Sequence, residues 1–177
     1  MVAVSDEAVE DGIADVLGVE PWMVVQTRNW SRPGDADFLG GVRAALERRC
    51  GGELLDESAD EIVDVVLLCW RAEDGDADDL VDALMDAMGN LADFGRIWLI
   101  TPDTGHDGQI DPDELAESVP TAGLVSILDV SLGDGRQAIK LMFPPWRQTR
   151  PLRVSAIRDE LRRRGAGPSE SGGSRSP

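Results

Sequence analysis

The chain has 177 residues, and its 34 acidic and 17 basic side chains give a formal net charge of −17. Hydrophobic residues make up 42% of it and charged ones 29%, which suits one folded domain with a sizeable core. Because so acidic a chain repels phosphate and anionic lipid, we expect no nucleic-acid partner and no membrane partner. The longest apolar run, Val65 to Trp70, is also far shorter than a bilayer-spanning helix needs.

Two features of the sequence favour the cell interior. The first residues lack the basic stretch and the apolar stretch that mark a secretory signal, so we expect a cytoplasmic protein. Cys50 and Cys69 are the only cysteines, and Cys69 lies within the apolar run. We therefore expect Cys69 to be a buried thiol in a reducing compartment and not half of a disulfide.

The hydrophobic periodicity of the first half of the chain predicts alternating helices and strands. In chain order these are a helix over residues 6–17, a strand over 23–26, a helix from Asp35 or Asp37 to Gly51, an edge strand over 53–55 and a strand over 62–70. The last strand is apolar without alternation, which is typical of a strand buried on both faces of a parallel sheet.

The second half continues this alternation and ends in a hairpin. It predicts a helix over 76–91, a strand over 96–101, a helix from Pro112 with Asp111 as N-cap, and strands over 124–130 and 138–142. Gly133, Asp134 and Gly135 lie between the last two strands and are typical of a tight turn. The pattern predicts an α/β fold with a doubly wound, mostly parallel sheet, helices on both faces and a C-terminal antiparallel hairpin.

Charge divides the chain into an acidic body and a basic end. Residues 1–135 carry a net charge of −24, and residues 136–177 carry +7. We therefore expect an α/β domain over 1–142, a basic extension with a short helix over 143–164, and a disordered tail over 165–177. Because opposite charges attract, we expect the extension to fold back on the body instead of binding nucleic acid.

Several separated blocks of the sequence resemble an actinobacterial family known only as domain of unknown function 3052. The blocks are Gly18 to Gln26, Glu53 to Glu57, Val63 to Arg71 with Asp74 to Asp76, Ile97 to Pro102, and Pro120 to Leu124. The resemblance implies a Rossmann-like sheet that is similar to the later half of class I methyltransferases. It implies no known activity.

A methyltransferase of this fold needs a glycine-rich turn after its first strand, where the backbone approaches the cofactor closely. Here the first strand runs into residues 27–34, which contain no Gly-x-Gly. We therefore expect no cofactor, since the fold alone does not carry the function.

Ligands of open α/β sheets bind outside the carboxyl ends of the strands. If this chain has such a pocket, the predicted strands place its floor at five residues: Gln26, Trp70, Arg71, Thr101 and Thr104. The alternative is structural, with Trp70 packed beneath the next loop and Arg71 paired with a nearby aspartate.

A calcium site is a further alternative. Asp103, Asp107, Asp111 and Glu114 match positions 1, 5, 9 and 12 of a calcium-binding loop. Gly105 stands at position 3, where the template needs a ligand, and there is no second loop of this kind. A polar loop that caps the following helix explains the same residues.

The sequence offers no catalytic constellation. His106 is the only histidine, and nothing in the pattern places it beside a hydroxyl or a thiol. Our leading hypothesis is a non-catalytic, cytoplasmic, Rossmann-like binding or regulatory module with a protein partner. The alternatives are an enzyme with an unrecognised small-molecule site at the strand ends and a calcium-binding protein. The pattern contains no signal for an oligomeric state.

Overall fold

A computed structural model of the protein describes residues 12–148. The chain divides into two compact units, a larger one up to Pro144 and a smaller one from Pro145. The larger unit contains, in chain order, the helical residues 12–16 (α1), β1 (Val25–Arg28), α2 (Ala36–Cys50), β2 (Val63–Cys69), a 3₁₀ turn (Ala72–Asp74), α3 (Ala77–Met88), β3 (Leu91–Pro102), α4 (Pro112–Thr121), β4 (Val125–Gly133) and β5 (Arg136–Met142). The described part of the smaller unit is one helical turn, α5 (Pro145–Gln148).

The five strands form one sheet in the order β1-β2-β3-β5-β4. β1, β2 and β3 are parallel, whereas β5 lies antiparallel between β3 and β4. The predicted edge strand is reduced to a single parallel bridge between Leu55 and Gln26. The predicted fold class, an α/β sheet that starts parallel and ends in an antiparallel hairpin, is confirmed.

Helices cover both faces of the sheet because its strands present apolar side chains alternately to each side. On one face α1 and α2 pack against a layer of strand residues: Val65, Leu67, Cys69, Trp98, Ile100 and Ala138. On the other face α3 and α4 pack against a second layer: Val66, Leu68, Ile97, Leu99, Ile139 and Leu141. None of the helices in residues 12–148 is long and apolar enough to cross a membrane.

Two element boundaries differ from the sequence prediction. β1 begins at Val25, two residues later than predicted. Leu91, predicted as the end of a helix, begins β3 and pairs with Val63 of β2. The chain turns at Gly89 and Asn90, and the Asn90 carbonyl accepts a hydrogen bond from the Val63 N–H, so sheet pairing overrides the helical periodicity here.

The hairpin turn consists of Asp134 and Gly135, which have φ angles of 52° and 68°. Two successive positive φ values are what a two-residue turn needs to match the twist of its strands. The turn sets Arg136 directly opposite Pro102, the last residue of β3. The start of β5 therefore lies at the same sheet edge as the carboxyl ends of the parallel strands.

Part of the sequence prediction lies outside the described residues. This applies to residues 6–11 of the first helix, to the basic extension beyond Gln148 and to the tail over 165–177. Within the described part, the domain runs to Pro144.

Candidate functional site

A crevice lies at the carboxyl ends of β2 and β3, next to the start of β5 and the beginning of α2. Its lining is charged on one side and apolar on the other: Arg32, Asp35, Leu39, Cys69, Trp70, Arg71, Ile100, Thr101, Pro102 and Arg136. This is the edge at which open α/β sheets bind their ligands. We call it the strand-end crevice.

Asp35 occupies the centre of this crevice and is 7% exposed. The Arg71 guanidinium donates two hydrogen bonds to its carboxylate, from Nε at 3.1 Å and from Nη2 at 3.0 Å. Arg136 donates a third from Nη2. Such forked, charge-assisted bonds fix both orientation and distance. We call these three residues the Asp35 cluster.

The pKa of the Asp35 carboxyl reflects two opposing effects. Burial raises the pKa, but the hydrogen bonds and the positive charges of Arg136 and Arg71 outweigh burial and hold it below its ordinary value. Asp35 is therefore ionised at neutral pH, and the cluster is a salt bridge and not a set of neutral hydrogen bonds.

Asp35, one of the two aspartates that the sequence offers as the cap, stands at the N-cap position of α2, but its side chain makes no capping hydrogen bond. The two guanidiniums have drawn the carboxylate away from the helix backbone, because a charge-assisted bond is stronger than a bond to a neutral amide. The positive end of the α2 dipole still favours a negative charge at this position.

A second layer of charges surrounds the cluster. Arg32 forms an ion pair with Asp74, which also accepts a hydrogen bond of 2.9 Å from the backbone N–H of Arg71. Asn29 bridges this layer to β2, since its amide donates to the Cys69 carbonyl at 2.9 Å and to Asp74 at 3.2 Å. Each arginine of the crevice thus contacts a carboxylate.

Packing holds the two clustered arginines in place. The Arg136 guanidinium lies over the ring of Phe38, 4.4 Å from its centre, in a cation–π contact. Gly108 passes so close to Arg71 that an added Cβ would lie 3.0 Å from Nη1, and its φ of 81° also disfavours a side chain. Its carbonyl accepts a hydrogen bond from the Ala72 N–H, which ties the 103–111 loop to the end of β2.

As a result, the crevice encloses a free volume of only about 20 Å³. That is roughly the space that one water molecule needs. A nucleoside cofactor would have to displace the Asp35 cluster to enter.

The structure brings three of the five predicted pocket residues together. Trp70, Arg71 and Thr101 line the strand-end crevice. Thr101 is buried, and its hydroxyl has no hydrogen-bond partner within residues 12–148. Gln26 and Thr104 do not line the crevice.

Gln26 and Thr104 have other positions for local reasons. The Gln26 side chain is fully buried, and its amide donates to the carbonyls of Asp56 at 2.8 Å and Ala59 at 3.1 Å. It fixes the 56–59 loop beside β1. Thr104 is exposed in the loop after β3, where its backbone N–H bonds to the Asp103 carboxylate.

Sequence reasoning missed Arg32, Asp35 and Arg136 as crevice residues. Arg136 could have been found from topology, because the first residue of a strand antiparallel to β3 must lie beside the end of β3. Asp35 looked like an ordinary helix cap. Its arginine partners lie 36 and 101 residues away in the chain, and no local pattern records such pairing.

The candidate calcium loop uses its carboxylates locally. Asp103 accepts from the Thr104 N–H, and Asp111 accepts from the Asp113 N–H at the start of α4. Within the described part of the chain, no group of three or more histidine, cysteine, aspartate or glutamate side chains is placed to hold a metal ion.

Cys69 lines the crevice as a buried thiol. Burial, and then the negative charge of Asp35, raise the pKa of Cys69 to about 12, with the nearby arginines opposing. Because the thiolate is the nucleophile, Cys69 is inert at neutral pH.

A second concavity lies on the far side of the sheet, between α4 and β4. Its walls are mostly apolar: Pro112, Leu115, Ala116, Val119, Pro120, Leu124, Val125, Ser126, Asp129 and Ile139. Its free volume is about 450 Å³. We call it the α4–β4 groove.

One protein family matches most of the chain. The sequence profile described as "Protein of unknown function (DUF3052)" matches residues 14–145. An uncharacterized protein of Mycobacterium tuberculosis H37Rv is 51% identical over 118 residues, which cover 67% of this chain and 70% of that protein. A protein of Mycobacterium bovis, also described as uncharacterized, matches with the same identity and coverage.

Solved structures with a similar fold include methyltransferases. The mitomycin 7-O-methyltransferase MmcR aligns with a TM-score of 0.53 and 14% identity over 77% of this chain, which spans about half of MmcR, 55%. The CcbJ methyltransferase of Streptomyces caelestis aligns with a TM-score of 0.51 and 10% identity, over 76% of this chain and 89% of CcbJ. At such identities the likeness shows the fold alone.

Proposed function

The chain belongs to the DUF3052 family of proteins of unknown function, and we propose that it uses a methyltransferase-like fold as a non-catalytic module that binds a protein partner. The observation that carries the proposal is the Asp35 cluster. It fills the crevice at the carboxyl ends of β2 and β3, where open α/β sheets bind ligands, and leaves room there for about one water molecule.

The energetics of the cluster support this proposal. A ligand that entered the crevice would break three hydrogen bonds to a carboxylate that is 7% exposed. Separating one partner from a buried ion pair costs about 3 kcal/mol or more. A small molecule would have to recover that cost before it gained any affinity.

The connection after β1 gives a second, independent argument. Residues 29–35 hold Asn29, Arg32 and Asp35 in ion pairs and hydrogen bonds to the neighbouring strand ends. A cofactor site needs this backbone free of side chains, so that a phosphate or ribose can approach it. Here Asn29, Arg32 and Asp35 of this connection bind to groups of the protein itself.

The proposed location is the cytoplasm. Cys50 and Cys69 are both free thiols, and the carboxyl ends of the strands keep Cys69 buried. Free thiols persist in reducing compartments. The proposed role is regulatory, because a protein that binds a partner without catalysing a reaction acts only by changing what that partner does.

Calorimetry on the full-length chain tests the non-catalytic part. S-adenosylmethionine and S-adenosylhomocysteine are each titrated into the protein, and we expect no binding heat up to about 1 mM ligand. A micromolar dissociation constant for either ligand would refute the filled crevice. Asp35→Ala, checked for folding by circular dichroism, is the control variant in which the space has been opened.

Affinity capture tests the binding part. The full-length chain is used as bait in an extract of its own cells, and both proteins and small molecules are identified by mass spectrometry. We expect a protein in stoichiometric amount and no stoichiometric small molecule. The reverse result would overturn the proposal.

One observation favours a second candidate, an enzyme with a small-molecule site at the strand ends. The Thr101 hydroxyl is buried beside the crevice without a partner in residues 12–148, and a ligand atom would satisfy it. Thr101→Val separates the two candidates. If the Thr101 hydroxyl is only structural, the valine variant should be as stable as the wild type and should capture the same partner. If the hydroxyl contacts a ligand, the variant should lose the small molecule that co-purifies with the wild type.

A further inference from the structure

We propose that the α4–β4 groove is the docking surface and that its occupant is a basic, amphipathic helix of the partner protein. This inference rests on the proposed function, since it names the surface through which the module would bind. Three properties of the groove carry it: its shape, its charge and the geometry of its sheet edge.

The shape suits apolar side chains held in a row. The floor consists of Val119, Leu124 and Ile139, and two prolines of α4, Pro112 and Pro120, stiffen one wall. The groove's free volume of about 450 Å³ lies within the range of binding pockets, roughly 300 to 1,000 Å³.

The charge of the groove selects the partner. Asp129 is the one charged residue among those that line it, and there is no lysine or arginine among them. α4 carries three more carboxylates: Asp113, Glu114 and Glu117. A cationic partner is therefore attracted, and electrostatic attraction of this kind sets orientation and association rate.

The same charges disfavour a second copy of this chain. Residues 1–135 carry a net charge of −24, so two groove faces would repel each other. A basic segment meets no such cost, and because this chain's own residues 136–177 carry +7, they are the competing occupant, whose presence in the groove would block binding of an added peptide.

The edge of the sheet favours a helix over an added strand. β4 is the edge strand, and a peptide could in principle extend the sheet along it. Its ladder is irregular at two places, between Ser126 and Leu128 and between Ser131 and Gly133. Bulges of this kind twist an edge and block continuous pairing, so the groove beside β4 is the better receptor.

A synthetic peptide tests the surface directly. The probe is a fluorescent peptide of about 18 residues with leucines at i, i+3, i+4 and i+7 spacing and lysines on both flanks. Its anisotropy is measured against the full-length chain. We expect a dissociation constant in the micromolar range that weakens with salt, and no binding of the same peptide with glutamate in place of every lysine.

Two serines of β4 provide matched variants. Ser126 lines the groove and Ser131 does not, and both are exposed on the same strand. We expect Ser126→Arg to weaken peptide binding at least about tenfold and Ser131→Arg to leave it unchanged. Asp129→Asn should weaken binding about threefold and reduce its salt dependence. No binding to the wild-type chain, or equal binding by both arginine variants, overturns the proposal.

Affinity capture with the same variants separates this inference from the proposed function. A partner captured by the wild-type chain and by Ser131→Arg, but lost with Ser126→Arg, supports docking in the groove. A partner captured by all three proteins leaves the proposed function standing and refutes the groove. Capture of a stoichiometric small molecule in place of any protein refutes the proposed function itself.

Discussion

The strand-end crevice and the α4–β4 groove are both concave, yet only one of them has room for a ligand. The crevice encloses about 20 Å³ and the groove about 450 Å³. The small space lies where the fold conventionally binds ligands, and the large one lies away from it. In this molecule, therefore, charged side chains fill the concavity at the ends of β2 and β3, whereas the concavity between α4 and β4 stays open.

The two regions also differ in what holds them together. The crevice depends on charged side chains that arrive from distant parts of the chain, whereas the groove is made by α4 and the hairpin that directly follows it. Mutations in the strand-end crevice and in the α4–β4 groove should therefore have different effects. Crevice variants should change stability, and groove variants should change binding.

The largest expected effect comes from Asp35→Ala. It leaves the Arg71 and Arg136 guanidiniums partly buried without their carboxylate, and we expect a loss of about 3 kcal/mol in the free energy of unfolding in urea. Asp37→Ala removes an exposed carboxylate from the first turn of the same helix and should cost about 0.5 kcal/mol. Equal losses in the two variants would mean that the Asp35 cluster adds nothing beyond helix electrostatics.

Two leucine truncations compare the walls of the two regions. Leu39 is 3% exposed against the crevice, so Leu39→Ala should cost about 3 kcal/mol through lost burial and a new cavity. Leu115 borders a groove that is already open, so Leu115→Ala adds no enclosed cavity and should cost about 1 kcal/mol. Urea unfolding of both variants measures the difference. A larger loss at Leu115 would show that the groove is part of the packed core.

The hairpin turn gives a smaller effect. Gly135→Ala forces a side chain onto a φ of 68° and against the His106 ring, and we expect a loss of about 1 kcal/mol. Gly40→Ala is the contrasting control: it lies within α2 with nothing within 4 Å of the added Cβ and should stabilise by about 0.5 kcal/mol. Thermal unfolding should therefore shift in opposite directions. A stabilising Gly135→Ala would contradict the turn geometry.

The pH dependence of the Asp35 effect is the smallest signal and the most diagnostic one. Because the arginines hold the pKa of Asp35 below its ordinary value of 3.8 despite burial, its contribution is fully present above that pH. It is lost as the pH falls through the lowered, folded-state pKa. The stability gap between wild type and Asp35→Asn should be constant from pH 7 to about 5 and shrink below about 3.8. A gap that persists at pH 2 would exclude an ionised Asp35.

The sequence predicted the sheet better than it predicted the crevice. The buried strands are visible as unbroken apolar runs, and the hairpin turn is visible because Gly133 to Gly135 allow positive φ values. The end of α3 was wrong because Leu91 fits a helical stripe as well as a strand, and only the pairing with Val63 decides between them. Local periodicity carries information about local structure and none about that pairing.

For the crevice, the sequence identified residues at the carboxyl ends of β2 and β3 and missed Arg32, Asp35 and Arg136. Trp70, Arg71 and Thr101 could be predicted because the apolar runs of the sequence show where β2 and β3 end. The prediction for Gln26 was wrong because its buried amide donates hydrogen bonds to the carbonyls of Asp56 and Ala59 in the neighbouring loop. Asp35 was missed because an aspartate that caps a helix and an aspartate that binds arginines have the same sequence context.

The Asp35 cluster also has a consequence for the order of events in folding. It joins residues that are 36 and 101 positions apart, so its contacts require the sheet and the hairpin to be in place first. A contact that forms after the transition state slows unfolding and leaves the folding rate nearly unchanged. The cluster would then form late in folding and lengthen the lifetime of the native state by slowing its unfolding. Its loss would appear in the unfolding limb of a chevron plot and not in the refolding limb.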